Sequence, residues 1–116
     1  MTIKRFHIGP RLSEMAVHGN TIYLAGQVAG DPTKDITGQT REVLAAIDAL
    51  LGEVGSDKSR ILSTTIYIAD MVDFPAMNAV WDAWVVPGAT PPRATVGAAL
   101  AKPAYKVEMQ IIAAMP

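Results

Sequence analysis

The sequence predicts an α+β fold in which a mixed β-sheet carries two helices on one face. Strand-like stretches with alternating apolar side chains come first and last in the chain, and another separates two stretches with helical periodicity. Strands that pair directly are antiparallel, and helices that then return the chain across one face give a mixed sheet. The expected element order is ββαβαββ, with a short additional strand near residues 4–8.

The first hairpin is expected early in the chain. Residues 14–18 and 21–28 have the composition of strands, and Gly19-Asn20 between them is typical of a two-residue hairpin turn. A loop then follows at residues 30–35, where Gly, Asp and Pro favour turns over regular structure.

The first helix is expected at residues 37–54, because apolar side chains recur there on one stripe at helical spacing, and Gly55 supplies a C-terminal stop. The stripe consists of Val43, Leu44, Ile47, Leu50, Leu51 and Val54. Residues 60–70 are rich in Ile, Thr and Tyr, which predicts a strand. Its buried face is expected to carry Leu62, Ile66 and Ile68.

The second helix is expected to begin at Asp73, a favourable N-cap residue, with Pro75 tolerated in the first turn. Residues 86–92 contain Pro and Gly and end it. Its broad apolar stripe consists of Phe74, Met77, Val80, Trp81, Trp84 and Val85. We expect Trp81 and Trp84 to lie in the core or in an interface.

Two strand-like segments close the chain, and residues 102–105 between them predict a turn and therefore an antiparallel hairpin. Side chains two apart share a face of a strand. Arg93 and Thr95 are thus expected together on one segment, and Glu108 and Gln110 on the other. The hairpin would place Thr95 within a residue or two of facing Glu108 or Gln110, with Arg93 as a diagonal neighbour. One face would then carry all four groups, either solvated or forming a polar site.

Composition narrows the classes of function. A chain of 116 residues, half of them hydrophobic and 18% charged, predicts one domain, residues 1–116, with a proper core. The net charge of −1, without a basic run, lacks the electrostatic signature of a nucleic-acid binder. There is no Cys, which excludes disulfides and thiolate chemistry. No apolar segment is long enough for a signal or a membrane span, so a cytoplasmic location without membrane contact is expected.

No metal site is expected. His7 and His18 are isolated and lack the spacing that metal ligands require. Glycine-rich phosphate-binding motifs and nucleophile elbows are also absent from the sequence.

Seven short segments follow one another along the chain: Gly9-Pro10, residues 22–28, 38–40, 64–70 and 74–78, and the Pro92-Arg93 and Val107-Glu108 regions. In this order they resemble the RidA/YjgF family of small trimeric imine and enamine deaminases, and the resemblance covers nearly the whole chain. Residues 73–88 look closer to the YoaB-like branch of the family.

This resemblance implies a chorismate-mutase-like fold, a homotrimer and clefts between adjacent subunits. It also implies the hydrolysis of reactive 2-imino or enamine acids to 2-keto acids and ammonia. The substrate would be a small-molecule carboxylate. No cofactor would be required, because an imine carbon is already electrophilic.

Two charged residues carry the implied chemistry. Arg93 matches the family arginine that anchors the substrate carboxylate, for which its planar fork is suited. The alternative is an ion pair between Arg93 and an acid such as Glu108. Glu108 matches the glutamate that positions the attacking water, and a carboxylate can also deliver protons to the departing nitrogen. The alternative is a salt bridge from Glu108 to Lys106 or Lys102.

Three further positions match the family pattern. Thr95 replaces the usual cysteine, so no thiol chemistry carries over, but its backbone N–H and hydroxyl can assist; otherwise it is a β-branched strand residue. Asn78 would line the cleft or else be a solvent-facing or capping amide. Gly26 would allow close approach to the ligand or else mark a strand bend.

Two departures from the family pattern remove hydroxyl groups. Arg11 stands where a tyrosine is usual, and Ala25 where a serine is usual. Arg11 would supply a second cation for a more acidic ligand or else lie on the surface. The losses motivate a second hypothesis, a non-catalytic module that binds a 2-keto acid or another small carboxylate and regulates a partner. A third, ribonuclease or translation-inhibitor activity, fits poorly with the net charge of −1.

Overall fold

The computed structural model describes residues 1–116 and shows one seven-stranded mixed sheet with two helices on one face. The helices are α1 (Ile36–Glu53) and α2 (Phe74–Trp84). The strands are β1 (Ile3–Ile8), β2 (Ser13–His18), β3 (Thr21–Leu24), β4 (Gln27–Val28), β5 (Ile61–Ile68), β6 (Arg93–Gly97) and β7 (Val107–Ala114). The predicted α+β class and the placement of both helices on one face are confirmed.

The strand order across the sheet is β1-β2-β3-β7-β5-β6, and the short β4 also pairs with β7. Only β5 and β6 are parallel. After β5 the chain runs back through α2, so β6 begins at the same end of the sheet as β5 and runs in the same direction. All other pairs are antiparallel. The short first strand anticipated near residues 4–8 is present as β1 at one edge of the sheet.

The predicted C-terminal hairpin was wrong. β5 lies between β6 and β7, so the last two strands are not neighbours. Residues 98–106 carry the chain across β5, a distance of about 10 Å, or twice the spacing of adjacent strands. The reason lies in burial: alternate residues of β7 are fully buried from Val107 to Ala113, which requires a central position, whereas the shorter β6 occupies the edge.

The predicted strand at residues 21–28 is divided at Ala25-Gly26 into β3 and β4, which pair with different parts of β7. Ala25 stays attached to the sheet because its N–H donates to the Glu14 carbonyl (2.9 Å). Gly26 therefore lies at a strand bend, as one of the two interpretations of this glycine anticipated.

The first helix is confirmed within one residue at each end. The Asp35 carboxylate accepts a hydrogen bond from the Gly38 N–H (2.8 Å) and caps α1. Gly55 follows the helix with φ 76°, a left-handed conformation that glycine adopts without strain. Asp73 occupies the N-cap position of α2, but its side chain makes no capping hydrogen bond.

The expectation that Leu62 is buried was wrong, since 51% of its surface is exposed. The pairing register with β7 shifts between Ile61 and Ser63, so one extra residue interrupts the alternation of faces. The side chains of β5 that face the helices are Ile61, Thr64, Ile66 and Ile68.

The core lies between the sheet and the two helices. α1 contributes a row of buried aliphatic side chains, and α2 contributes Met77 and Trp81, with the other members of its apolar stripe partly buried. The opposite face of the sheet has no covering layer within the chain. Neither helix combines the length and apolar character needed to cross a membrane.

Candidate functional site

Arg93 and Glu108 lie on opposite faces of the sheet. Arg93 pairs in register with Thr64, a buried residue beneath the helices, so the Arg93 side chain belongs to the helix-covered face. Glu108 pairs with Tyr67 on the open face. The prediction of one polar face carrying all four groups was therefore wrong, because the intervening β5 sets the register and the two pairs project in opposite directions.

Thr95 and Gln110 follow the same division. Thr95 pairs with Ile66, whose other neighbour across the sheet is Met109. The Thr95 side chain therefore lies on the helix side of the sheet, away from Glu108 and Gln110. The alternation within each strand is nevertheless as predicted: Glu108 and Gln110 are the accessible residues of their stretch, and Val107 and Met109 are buried.

Arg93 is held by aromatic side chains and has no acidic partner. Its guanidinium carbon lies 5.3 Å from the ring centroid of Trp81 and 5.9 Å from that of Phe74. It forms neither an ion pair nor a side-chain hydrogen bond within the chain, and the ion pair with Glu108 that was one interpretation is not made. The donors of Arg93 are therefore available to an anion.

Asn78 belongs to the same cluster. Residues four and three positions apart on a helix share a face, which places Asn78 between Phe74 and Trp81. Its Oδ1 atom is buried without a hydrogen-bond partner, as is the Oγ1 atom of Thr64, the register neighbour of Arg93. An unpaired buried oxygen costs free energy, and such groups in native proteins call for an explanation.

Thr95 offers a backbone N–H at the free edge of the sheet. The Thr64 N–H donates to the Pro92 carbonyl and the Ala98 N–H donates to the Ile68 carbonyl, both at 3.0 Å. In a parallel pair this register uses every second residue of β6 and leaves the backbone N–H groups of Arg93 and Thr95 pointing outward. We call Phe74, Asn78, Trp81, Arg93 and Thr95 the Arg93 cluster.

Glu108 lies in a pocket of about 340 Å³ on the open face, which we call the Glu108 pocket. Its carboxylate packs directly on Gly26, where an added Cβ would come within 2.1 Å of Oε2. Neither Lys102 nor Lys106 forms the salt bridge that was the alternative for Glu108. The other residues lining the pocket are Tyr67, Ala98, Ala99, Leu100, Ala101 and Gln110.

Arg11 takes no part in either arrangement that the contacts define. It lies in the turn between β1 and β2, is exposed and forms no ion pair. It does not line the Glu108 pocket. Ala25 precedes Gly26 at the strand bend and brings no hydroxyl to that pocket.

Several residues of these two arrangements were not singled out from the sequence as parts of a site. Phe74 and Trp81 were assigned to an apolar stripe, and Tyr67 and the 98–101 loop were assigned no part. The spacing of Phe74, Asn78 and Trp81 along one helix face is the signal that could have linked them. The position of the loop over Glu108 depends on the crossing of β5, which has no local signal.

The open face carries apolar side chains that this chain does not cover. Tyr23 and Val96 are 47% and 44% exposed and have their register partners on this face. Ala114 lies there as well, opposite Thr21. Gly97 pairs with Ile68 and therefore lies on the helix side. The open face is thus a surface on which another protein surface can pack.

Two carboxylates elsewhere in the molecule accept hydrogen bonds from residues close to them in the sequence. The Ser59 hydroxyl and backbone N–H donate to Asp57 and hold the pKa of that carboxyl below its ordinary value of 3.8. Asp31 has its pKa lowered in the same way by Thr33. Both carboxylates are exposed and belong to neither the Arg93 cluster nor the Glu108 pocket. No three His, Asp or Glu side chains converge as metal ligands would.

Comparison with known proteins gives matches over almost the whole chain. The family model described as endoribonuclease L-PSP matches residues 2–115. The RutC family protein YoaB of Escherichia coli K12 is 50% identical over 115 residues, with 99% of this chain and 100% of YoaB covered. A RutC family protein of Haemophilus ducreyi is 47% identical over 113 residues, covering 97% of each chain.

A solved structure of a YjgF family member from Neisseria meningitidis superposes with a TM-score of 0.97 at 45% identity. The superposition covers 100% of this chain and 97% of the other. The sheet order and the placement of both helices are therefore shared with a relative of high identity.

Proposed function

Since the chain belongs to the RidA/YjgF family and is similar to its YoaB members, we propose that it hydrolyses reactive 2-imino and enamine acids to 2-keto acids and ammonia. The reaction takes place in a cleft between subunits of a homotrimer. It needs only water as the second reactant. The Arg93 cluster of one subunit and the Glu108 pocket of its neighbour together form the site.

The observation that carries this proposal is the separation of two unpaired charges. Arg93 and Glu108 each lack a partner within the chain, and the sheet itself stands between their side chains. A second copy that packs on the open face brings the edge strand β6 of one subunit toward the Glu108 pocket of another. Head-to-tail contacts of this kind close into a ring of three subunits when each subunit is rotated by 120° relative to the one before.

Arg93 binds the carboxylate of the substrate. The guanidinium presents parallel N–H donors that match the two oxygens of a carboxylate, an arrangement that lysine cannot reproduce. The outward N–H of Thr95 on the same strand edge supplies a further donor. The buried Oδ1 of Asn78 is an acceptor beside them and can accept a hydrogen bond from the N–H of an imine.

Glu108 orients and deprotonates the attacking water. Addition of water to C2 of the imine forms one C–O bond and gives a carbinolamine, with the water proton passing through the carboxylate to nitrogen. The same carboxylate then carries the hydroxyl proton of the carbinolamine to nitrogen, the C–N bond breaks to release ammonia, and the oxygen becomes the carbonyl of the 2-keto acid. An enamine enters the same sequence after its C3 takes up a proton.

A second candidate is a module that binds a small carboxylate without chemistry. Arg11 lies apart from the defined contacts and Ala25 carries no hydroxyl, so fewer groups are available to bind water or substrate. This candidate retains the carboxylate contact with Arg93 and assigns Glu108 no proton transfer.

The test is the rate at which 2-iminopropionate, generated in situ by an amino-acid oxidase, is consumed by wild type, Arg93→Ala and Arg41→Ala. Arg41 is exposed on α1 and forms no ion pair, so it controls for the loss of one cation. We expect acceleration by wild type and Arg41→Ala, and none by Arg93→Ala. Full activity in Arg93→Ala would overturn the assignment of Arg93.

If wild type binds pyruvate, measured by calorimetry, but does not consume the imine, the binding module becomes the better description. If wild type neither binds pyruvate nor consumes the imine, both candidates are wrong.

A further inference from the structure

We propose that Trp81 is a positioning residue for Arg93, fixing the guanidinium in the orientation that receives a carboxylate. This inference rests on the proposed function, because it assigns Trp81 a part in the carboxylate site. It also concerns a property of the free protein, the order of the Arg93 side chain, which can be measured without any substrate.

The geometry places the guanidinium against aromatic rings on the helix-covered face. Trp81 lies 5.3 Å away and Phe74 lies 5.9 Å away, both within the range of a cation–π attraction. No carboxylate and no carbonyl competes for the guanidinium, which makes no hydrogen bond within the chain. The rings are therefore the only side-chain contacts of the Arg93 charge that the structure defines.

A ring is a suitable holder for an arginine that must stay available. The N–H donors of a guanidinium lie in its plane, and its faces carry none. An aromatic ring attracts the cation through its π-face without consuming a donor, whereas a carboxylate would occupy the edge needed for substrate. Arg93 is thus attached and still unpaired.

Trp81 is itself firmly placed. Only 5% of its surface is exposed, and it belongs to the buried core between the sheet and the helices. A ring held in a close-packed core cannot follow the motions of an arginine side chain, so Arg93 takes the order of the ring.

The first experiment measures ¹⁵N relaxation of the Arg93 Nε–Hε group, assigned by its disappearance in Arg93→Lys. The variants are Trp81→Leu, which removes the π-face, and Trp81→Phe, which keeps one. Trp84→Leu is the matched control, because the Trp84 ring lies 5.4 Å from that of Trp81 on the same helix stripe but makes no contact to Arg93. It disturbs the packing beside Trp81 and leaves the Trp81 π-face toward Arg93 in place. We expect Arg93 to be ordered in wild type, Trp81→Phe and Trp84→Leu, and mobile in Trp81→Leu.

The second experiment separates KM from kcat for 2-iminopropionate in the same proteins. Loss of one cation–π contact is expected to raise KM about threefold to tenfold in Trp81→Leu, with kcat close to wild type and recovery in Trp81→Phe. A packing defect alone would instead affect Trp84→Leu as much as Trp81→Leu.

An unchanged Arg93 order in Trp81→Leu, or equal loosening in Trp84→Leu, overturns the proposal. If Trp81→Leu does not fold, Trp81→Met, which fills more of the ring volume without a π-face, takes its place, and Arg93 order unaffected by that change is equally contradictory. Wild type without imine turnover but with Arg93 ordered by Trp81 refutes the proposed function alone. Turnover that depends on Arg93, with Arg93 order independent of Trp81, refutes this inference alone.

Discussion

The Arg93 cluster and the Glu108 pocket hold opposite charges by different means. Arg93 stands at an edge strand and is held by side chains of α2, namely Trp81 and Phe74. Glu108 stands on the central strand β7 and is held by backbone, since its carboxylate packs on Gly26 at a strand bend. Neither charge is neutralised inside the chain.

This difference indicates which group tolerates change. Because Arg93 is held by other side chains, substituting one of the aromatic rings can increase its mobility gradually. A carboxylate that fills the space of a missing Cβ is displaced at once when that space is filled. The two regions are also on opposite faces, so their cooperation requires two copies of the chain.

The largest expected effects are the loss of activity when Arg93 or Glu108 is replaced and its partial recovery when the two variants share one trimer. Arg93→Ala and Glu108→Gln are each expected to lose activity by a factor on the order of a hundred or more, because carboxylate binding or proton transfer is gone. In a trimer that contains both variants, about one site in three draws an intact Arg93 from one subunit and an intact Glu108 from its neighbour. The imine-consumption rate of the purified mixed trimers should therefore recover to about one third of wild type.

The mixed trimers are obtained by co-expression with two different tags and tandem purification. Each variant purified alone through the same steps is the control. A mixture no more active than its parents would mean that one chain provides both groups of a site, and it would rule out a site shared between two subunits.

Next in size is Gly26→Ala. The new Cβ would come within 2.1 Å of Glu108 Oε2, so the carboxylate must move. Misplacement of a catalytic group by about 1 Å costs on the order of a hundredfold in rate, and kcat should fall accordingly. Pyruvate affinity, which depends on Arg93, should change little. The measurement is a kcat determination alongside calorimetric binding.

Gly52→Ala is the control for this substitution. A Cβ at Gly52 meets nothing within 4 Å, and alanine is favoured in a helix by about 0.5–1 kcal/mol. Its thermal stability should rise slightly with activity unchanged. Equal kcat in Gly26→Ala and wild type would show that the position of Glu108 is not critical.

Asn78→Ala is expected to have a smaller effect and to separate function from stability. Removing the unpaired buried Oδ1 relieves a desolvation penalty, so the free energy of unfolding should stay level or increase. Loss of a hydrogen bond to substrate should raise KM by about tenfold. Denaturant unfolding and steady-state kinetics measure the two quantities. A clear loss of stability would identify Asn78 as a structural amide.

The smallest expected effect lies outside both regions. Because the folded-state pKa of Asp57 is lowered by Ser59, its ionised form stabilises the fold above the unfolded pKa, and this contribution is lost as pH falls through the folded pKa. Asp57→Asn should therefore be slightly less stable than wild type at neutral pH and indistinguishable from it at strongly acidic pH. Thermal unfolding at several pH values tests this, and imine turnover at neutral pH should be unaltered.

Much of the fold could be predicted because the periods of its segments are strong local signals. The stripe of α1 has five apolar residues within the helix and Val54 at its C-cap, followed by Gly55, and the structure places the helix ends within one residue of the prediction. Alternation in β6 and β7 correctly indicated which side chains share a face within each strand. Family membership, with its motifs spread along the chain, was also visible from the sequence.

Two features escaped prediction because they depend on distant parts of the chain, namely the bulge at Leu62 and the position of β5 between β6 and β7. The bulge at Leu62 arises from the pairing of β5 with β7, and no residue type nearby announces it. The strand bend at Gly26 was one of the two interpretations of that glycine, and the Glu108 carboxylate packs against Gly26 at this bend. The assignments of Arg93, Thr95, Asn78, Gly26, Glu108 and Arg11 as site residues stay predictions, as do the homotrimer and the cytoplasmic location.

The sequence by itself determined the elements, their faces and the family. Only the tertiary structure decided that β5 lies between β6 and β7, and therefore that Arg93 and Glu108 project from opposite faces of one sheet. The physical reason is that periodicity is a property of each strand alone, whereas strand order follows from burial. A central position was needed to cover the apolar residues of β7, and that need outweighed the short connection that a hairpin would have used.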